Sequence, residues 1–249
     1  MKKIFTLIAV CCIAMSVNAQ KRISISTWSK TDLVKYDNQT KDVSMLRYMF
    51  NGWNTFCVPF SMTERQIDEV FGNDCRVETL VGAEGTSAAV DVYFDDVKSK
   101  GIEANKPYLI YYTGESKYIS IRLTDVKICA DGSRDITFNT EDGTPVTFAG
   151  TFDHIDGVGT YGILAADNGS VNFAPVNANH NGLYPTRCNL TVMNASNAKV
   201  VSHHGTPTGI NALKNDIQRL NAKYNINGVK VNNDAKSIII EKGKKYINK

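Results

Sequence analysis

The sequence has little tryptophan, two residues in 249, and no C-x-x-C pair. It also has no apolar run downstream of Gln20 that approaches the ~20 residues needed to cross a bilayer as a helix. The last absence predicts a mature chain with no transmembrane helix. Without C-x-x-C, neither a zinc knuckle nor a thioredoxin-type site is indicated. No G-x-S-x-G elbow, H-E-x-x-H helix or G-x-x-x-x-G-K-[ST] loop occurs, which removes the usual serine hydrolases, zinc proteases and phosphate-loop enzymes. Calcium-loop spacing is missing as well. No cofactor and no catalytic residue is expected.

What is present begins with an export signal. Lys2 and Lys3 form a positive start, Ile4 to Ala14 an uncharged apolar run, and Val17 and Ala19 place small residues at −3 and −1 before Gln20. Residues 1–19 therefore read as a signal peptide cleaved between Ala19 and Gln20, with the export machinery as first partner. Cys11 is preceded by Val10, so the pattern does not fit lipoprotein processing.

Removal of Lys2 and Lys3 leaves a nearly neutral chain, but its charge is unevenly placed. Residues 20–198 carry 16 Lys and Arg against 22 Asp and Glu, and residues 199–249 carry 10 against 3. An acidic body thus bears a basic tail, which is either solvated or read by an anionic surface or receptor. An acidic exported body is a poor fit to nucleic acid. Four cysteines remain after cleavage, Cys57, Cys75, Cys129 and Cys188. In an exported chain they permit two disulfides in any of three connectivities, with Cys57–Cys75 the most local, or else four buried thiols.

Short runs rich in Val, Ile, Thr, Tyr and Phe alternate with Gly, Asn and Asp clusters from Arg22 to Met193. This predicts an all-β, mostly antiparallel body over 20–205, a β-sandwich or barrel-like fold with one or two short helices. Thr63 followed by Gln66 forms a capping box; Ile67, Val70 and Phe71 supply one apolar face, and Gly72 a left-handed stop. Residues 206–222 read as a linker or a short helix, because Ile210, Leu213, Ile217 and Leu220 have helical spacing after a Thr-Pro-Thr-Gly break. Residues 223–249 read as a small separate β unit. Asn227 and Gly228 suit a two-residue type I′ turn, which would oppose Tyr224 to Val231.

Leu46 to Gly72, LRYMFNGWNTFCVPFSMTERQIDEVFG, resembles a recurring β-domain of secreted and surface proteins of the Bacteroidetes. The likeness extends to GIEANKPYLIYY (Gly101 to Tyr112), to Thr147 to Thr151, and to LYPTRCNLTV (Leu183 to Val192), where the family often has an aromatic near the position of Cys188. YNINGVKV and IIIEKGKKYINK are similar to type IX secretion sorting tails, with Tyr224, Asn227, Gly228, Gly243 and Lys249 as the tail positions. The resemblance implies an adhesin-like exported module at the cell surface, in the outer membrane or outside the cell, and it carries over no catalytic residue.

The remaining candidates for chemistry are sparse. His203 and His204 are neighbours, so in a strand they would face opposite ways and could not share one metal. His154 lies between Asp153 and Asp156, where turn chemistry suits both carboxylates. The carboxylate pairs Asp95–Asp96 and Glu141–Asp142 read as loop edges, because glycosidase carboxylates must face each other across a substrate. Trp28, Trp53, Tyr108, Tyr111, Tyr112, Tyr118, Tyr161 and Tyr184 are the aromatics from which a sugar platform would have to come; most should be core or cross-strand pairs. The sequence favours a non-catalytic binding, adhesion or structural module with a glycan or protein ligand. A secreted glycoside-hydrolase-like enzyme is the alternative.

Overall fold

In the computed structural model the described residues are 22–164, 172–177, 182–195 and 197–205, with four short strands inside 223–247. The chain divides into two compact units, Met1–Gly205 and Thr206–Lys249. The expected cleavage at Ala19–Gln20 and the 206–222 linker or helix lie outside the described residues.

The body is all-β and layered. Its middle is a five-stranded sheet, built from β3 (Gly52–Phe56), β4 (Arg76–Thr86), β5 (Ala89–Asp96), β6 (Tyr108–Tyr112) and β13 (Lys199–His204), ordered β13-β5-β4-β6-β3. All pairs are antiparallel except β13, which lies parallel to β5. One side is covered by β1 (Ile23–Ile25), β2 (Thr40–Met49) and β7 (Lys117–Lys127). The other is covered by a second five-stranded sheet, β8 (Ile136–Asn139), β9 (Pro145–Thr151), β10 (Tyr161–Leu164), β11 (Asn172–Pro175) and β12 (Arg187–Val192), ordered β11-β10-β12-β9-β8.

The period-two geometry of the middle strands explains two cores rather than one. From β3 and β6, Phe56, Tyr108, Ile110 and Tyr112 face the first core with Val43, Met45, Ile119 and Ile121. Trp53 and Leu109 face the second, with Val92, Phe94, Phe148, Tyr161 and Leu190. A sheet buried on both faces must be apolar on both, and all five residues of β3 are buried.

The helix, α1 (Glu64–Phe71), forms as its capping box predicts. Thr63 Oγ1 accepts from Gln66 N at 3.3 Å, and Gln66 Oε1 accepts from Thr63 N at 2.8 Å. Ile67 and Phe71 are buried in the first core, and Gly72 leaves the helix at φ +93 and ψ 154, outside the left-handed helical region that the sequence suggests.

The second unit contains β14 (Lys223–Asn225), β15 (Lys230–Val231), β16 (Ile238–Glu241) and β17 (Lys244–Ile247), ordered β15-β14-β16-β17 and antiparallel throughout. Tyr224 pairs with Lys230, not with Val231. Asn227, Gly228, Gly243 and Lys249 lie outside the described residues.

Candidate functional site

A cleft of about 290 Å³ opens between the middle sheet and the β8–β12 sheet, lined by β3, β10, β11, the start of β12 and the segment before it. Its shape begins at the β2–β3 corner. Gly52 takes φ +100, and the Asn54 side chain fastens the corner, accepting from Phe50 N at 3.0 Å and donating to Phe50 O and Gly52 O at 2.9 Å each. Phe50 is thereby held at the cleft, 39% exposed, while Trp53 lines it from the buried side. Leu183 and Tyr184 form another wall, fixed by paired backbone bonds between Leu183 and Ile155.

Two arginines stand at the back of this cleft. Arg47 is 1% exposed and points inward from β2; its Nη1 donates to Thr186 O at 2.9 Å and to Thr186 Oγ1, and its Nη2 donates to Thr55 O. Burial, then the nearby Arg187, pushes the Arg47 guanidinium down to about 9. Its Nε has no acceptor among the described residues. Arg187 lines the cleft directly, half-buried, with no hydrogen bond or ion pair to any described residue. Burial lowers its pKa, partly opposed by Cys188 and Tyr184.

Between them sits Thr186 at φ +68, a region that β-branched residues rarely enter. Four bonds hold it there: its N–H donates to Thr151 O at 2.7 Å, its carbonyl accepts from Cys57 N at 3.1 Å and from Arg47, and its hydroxyl accepts from Arg47. Strain maintained by so many partners fixes the direction of the following residue, Arg187.

Exposed rings extend the cleft outward in two directions. Trp28, 59% exposed, meets Tyr184 edge-on at 5.1 Å, and His154 stacks on the same tyrosine at 4.7 Å. A Lys30–Asp153 ion pair of 3.2 Å ties the Trp28 segment to the His154 turn. On the other side Phe50 meets Tyr48 edge-on, and Tyr48 meets the exposed Tyr118 in the same way, each at 5.0 Å.

A separate polar cluster lies beside Trp53. Glu78 is fully buried; its Oε1 accepts from Arg76 Nη2, and its Oε2 lies 2.6 Å from His204 Nδ1. His204 Nε2 lies 3.2 Å from Ser202 Oγ, and the imidazole stacks on Trp53 at 4.5 Å and on Phe94 at 5.7 Å. None of Glu78, His204 and Ser202 lines the cleft. The cluster neutralises a buried carboxylate.

Most residues singled out from sequence fall into structural roles. The four cysteines are free thiols, the second of the two alternatives the sequence leaves open, with Cys57, Cys75 and Cys188 buried and Cys129 partly exposed. The local pairing fails for a clear reason: Cys57 belongs to the second core and Cys75 to the first. Burial pushes the Cys188 thiol up to about 12 and raises that of Cys57 further, so neither is poised as a nucleophile. His203 and His204 do face opposite ways, His203 bonding Asp91 at 2.7 Å and His204 bonding Glu78. Among the described residues no group of His, Cys, Asp or Glu is arranged to hold a metal.

Asp142 closes its own loop, accepting from Thr140 Oγ1, Thr144 N and Ser87 N. Asp96 accepts from Lys98 N in the same manner. Of the candidate aromatics, Tyr108, Tyr112, Tyr161 and Trp53 are buried, whereas Trp28 and Tyr118 are exposed and Tyr184 is half-exposed at the cleft. Arg47, Thr186 and Arg187 carry no motif; the one available signal was an arginine standing in an inward position of β2 between Met45 and Met49.

Comparison with family models, with curated proteins and with solved structures returns no match.

Proposed function

We propose that this protein is an exported, non-catalytic β module that binds a ligand in the cleft between its middle and β8–β12 sheets. The observation that carries the reading is the cleft lining: Phe50, Trp53, Leu183 and Tyr184 supply apolar and aromatic surface, and no described residue of the lining is a carboxylate. Small-molecule sites are concave and mostly apolar, with a few convergent polar groups. A glycoside hydrolase needs two carboxyl groups facing each other across the substrate, about 5–10 Å apart. The exposed Trp28, Tyr118 and Phe50 beside the cleft suit stacking on sugar rings or packing on a protein partner.

Export rests on the Lys2 to Ala19 pattern, and delivery to the surface, the outer membrane or the medium on the basic tail, whose proposed receptor is the secretion machinery. A glycan array read beside a cell-adhesion assay tests the binding role. Signal in either that falls at least about tenfold in Tyr184→Ala supports the module. Silence in both, or turnover of glycosidic substrates that survives Tyr184→Ala, overturns it.

A further inference from the structure

We infer that the cleft recognises a carboxylate attached to a single ring-sized apolar body, with the anion on Arg187 and the ring against Trp53, Phe50 and Leu183. The inference rests on the binding reading above and names the ligand chemistry of that site.

Three observations converge on it. The first is the state of Arg187. A guanidinium removed in part from water is ordinarily compensated by a carboxylate or several carbonyls, because burying an unpaired charge is costly. Arg187 lines the cleft with no such partner among the described residues, and its fork matches a carboxylate bidentately. The second is the support behind it. Arg47 adds a second positive charge that binds only carbonyl and hydroxyl oxygens, and it pins Thr186 at φ +68. Arg187 faces the cleft and the buried Arg47 lies behind it, bonded to Thr186 and Thr55; with no carboxylate bonded to either among the described residues, the two charges favour an anion at Arg187. The third is size. A volume of about 290 Å³ sits at the small end of ligand sites, room for one ring and its substituent.

A uronic-acid residue at the end of a glycan and a small aromatic acid share this chemistry. Each has a carboxylate next to a ring with an apolar face. The carboxylate would displace water from Arg187 and take two parallel N–H···O bonds, while the ring covers Trp53 and Leu183.

The test uses the secreted full-length protein and follows tryptophan fluorescence, since Trp53 lines the cleft. Two matched pairs are titrated: methyl glucuronide against methyl glucoside, and 3-phenylpropionate against its amide. The expected result is that one acid binds about 10- to 100-fold tighter than its neutral partner and that the preference disappears in Arg187→Gln. Which acid binds identifies the source. Arg187→Gln should melt no lower than the parent, because it removes an uncompensated cation; Arg187→Lys should keep part of the preference. Should Arg187→Gln fail to fold, the parent decides alone: raising salt must weaken the acid and leave the neutral partner unaffected. Equal binding of acid and neutral forms, no binding of either acid, or an unchanged preference in Arg187→Gln overturns the inference. A neutral glycan hit on the array would then leave the module reading standing, whereas silence there and in adhesion removes both.

Discussion

Thr186 carries a branched Cβ and still sits at φ +68, and Arg47 is the main reason it can. Arg47→Lys shortens the reach and removes the planar fork, so Thr55 O and Thr186 cannot both be served; Thr186 O keeps its bond from Cys57 N, and the loss falls on Thr55 O or on the Thr186 hydroxyl. Losing a buried hydrogen bond to a charged donor costs about 1–3 kcal/mol, read as a lower urea midpoint. Asp142 offers a pH test at the same scale. Bonds from Thr140, Ser87 and Thr144 hold its carboxyl well below the ordinary Asp value of 3.8. A carboxylate so depressed stabilises fully above its unfolded value and loses that effect as pH falls through its folded one. Asp142→Asn should therefore lower the melting temperature by a constant amount from pH 7 to about pH 5, and the gap to the parent should close as pH falls below about 4. At this scale little of the site was legible, because a cation that belongs inside looks like an interruption of the apolar pattern. Trp28 and Tyr184 were visible as aromatics, but they lie more than 150 residues apart and no local pattern announces their meeting.

The elements were read best where local chemistry decides them. Thr63, Gln66 and Gly72 mark the ends of α1 from sequence, and Thr63→Ala is expected to cost about 1 kcal/mol in chemical denaturation. β6, β8 and β9 likewise follow their Val, Ile and aromatic runs. β2 and β4 did not read as strands. In β2 the inward positions hold Val43, Met45, Arg47 and Met49, and the charged member breaks the alternation; β4 carries Gly82 and Gly85 and a bulge between Leu80 and Gly82. Packing between elements was out of reach of any pattern. Gly150 in β9 passes so close to Cys57 that an added Cβ would collide with its sulfur and Cβ. Gly150→Ala should push the β8–β12 sheet away from β3, costing about 1–3 kcal/mol and reading as a lower melting temperature.

For the whole molecule, an all-β body followed by a small β unit was legible, while the doubly buried middle sheet was not, because its strands come from residues 52–112 and 199–204. Four free thiols predict that a reductant leaves the melting temperature unchanged. They also predict that Cys57, Cys75, Cys129 and Cys188 all react with a thiol reagent in denaturant without prior reduction. Removal of residues 206–249 should leave the body's melting transition intact while the protein fails to reach its destination, assayed by cell fractionation. A truncated body that unfolds, or one delivered normally, would refute the sorting role of the tail.

The parallel pairing of β13 with β5 sets a timetable. β5 is complete once Asp96 has been made, yet the strand that covers its edge ends at His204, roughly a hundred residues later. At ~5–20 residues per second that interval is on the order of 5–20 s. Throughout it β5 presents unpaired backbone groups, an invitation to pairing with another chain. Glu78 meanwhile has Arg76 but waits for its hydrogen-bond partner His204. The outer edge of β5 is thus the last part of the middle sheet to be closed during synthesis, after β3, β4, β5 and β6 are all available to pair with one another.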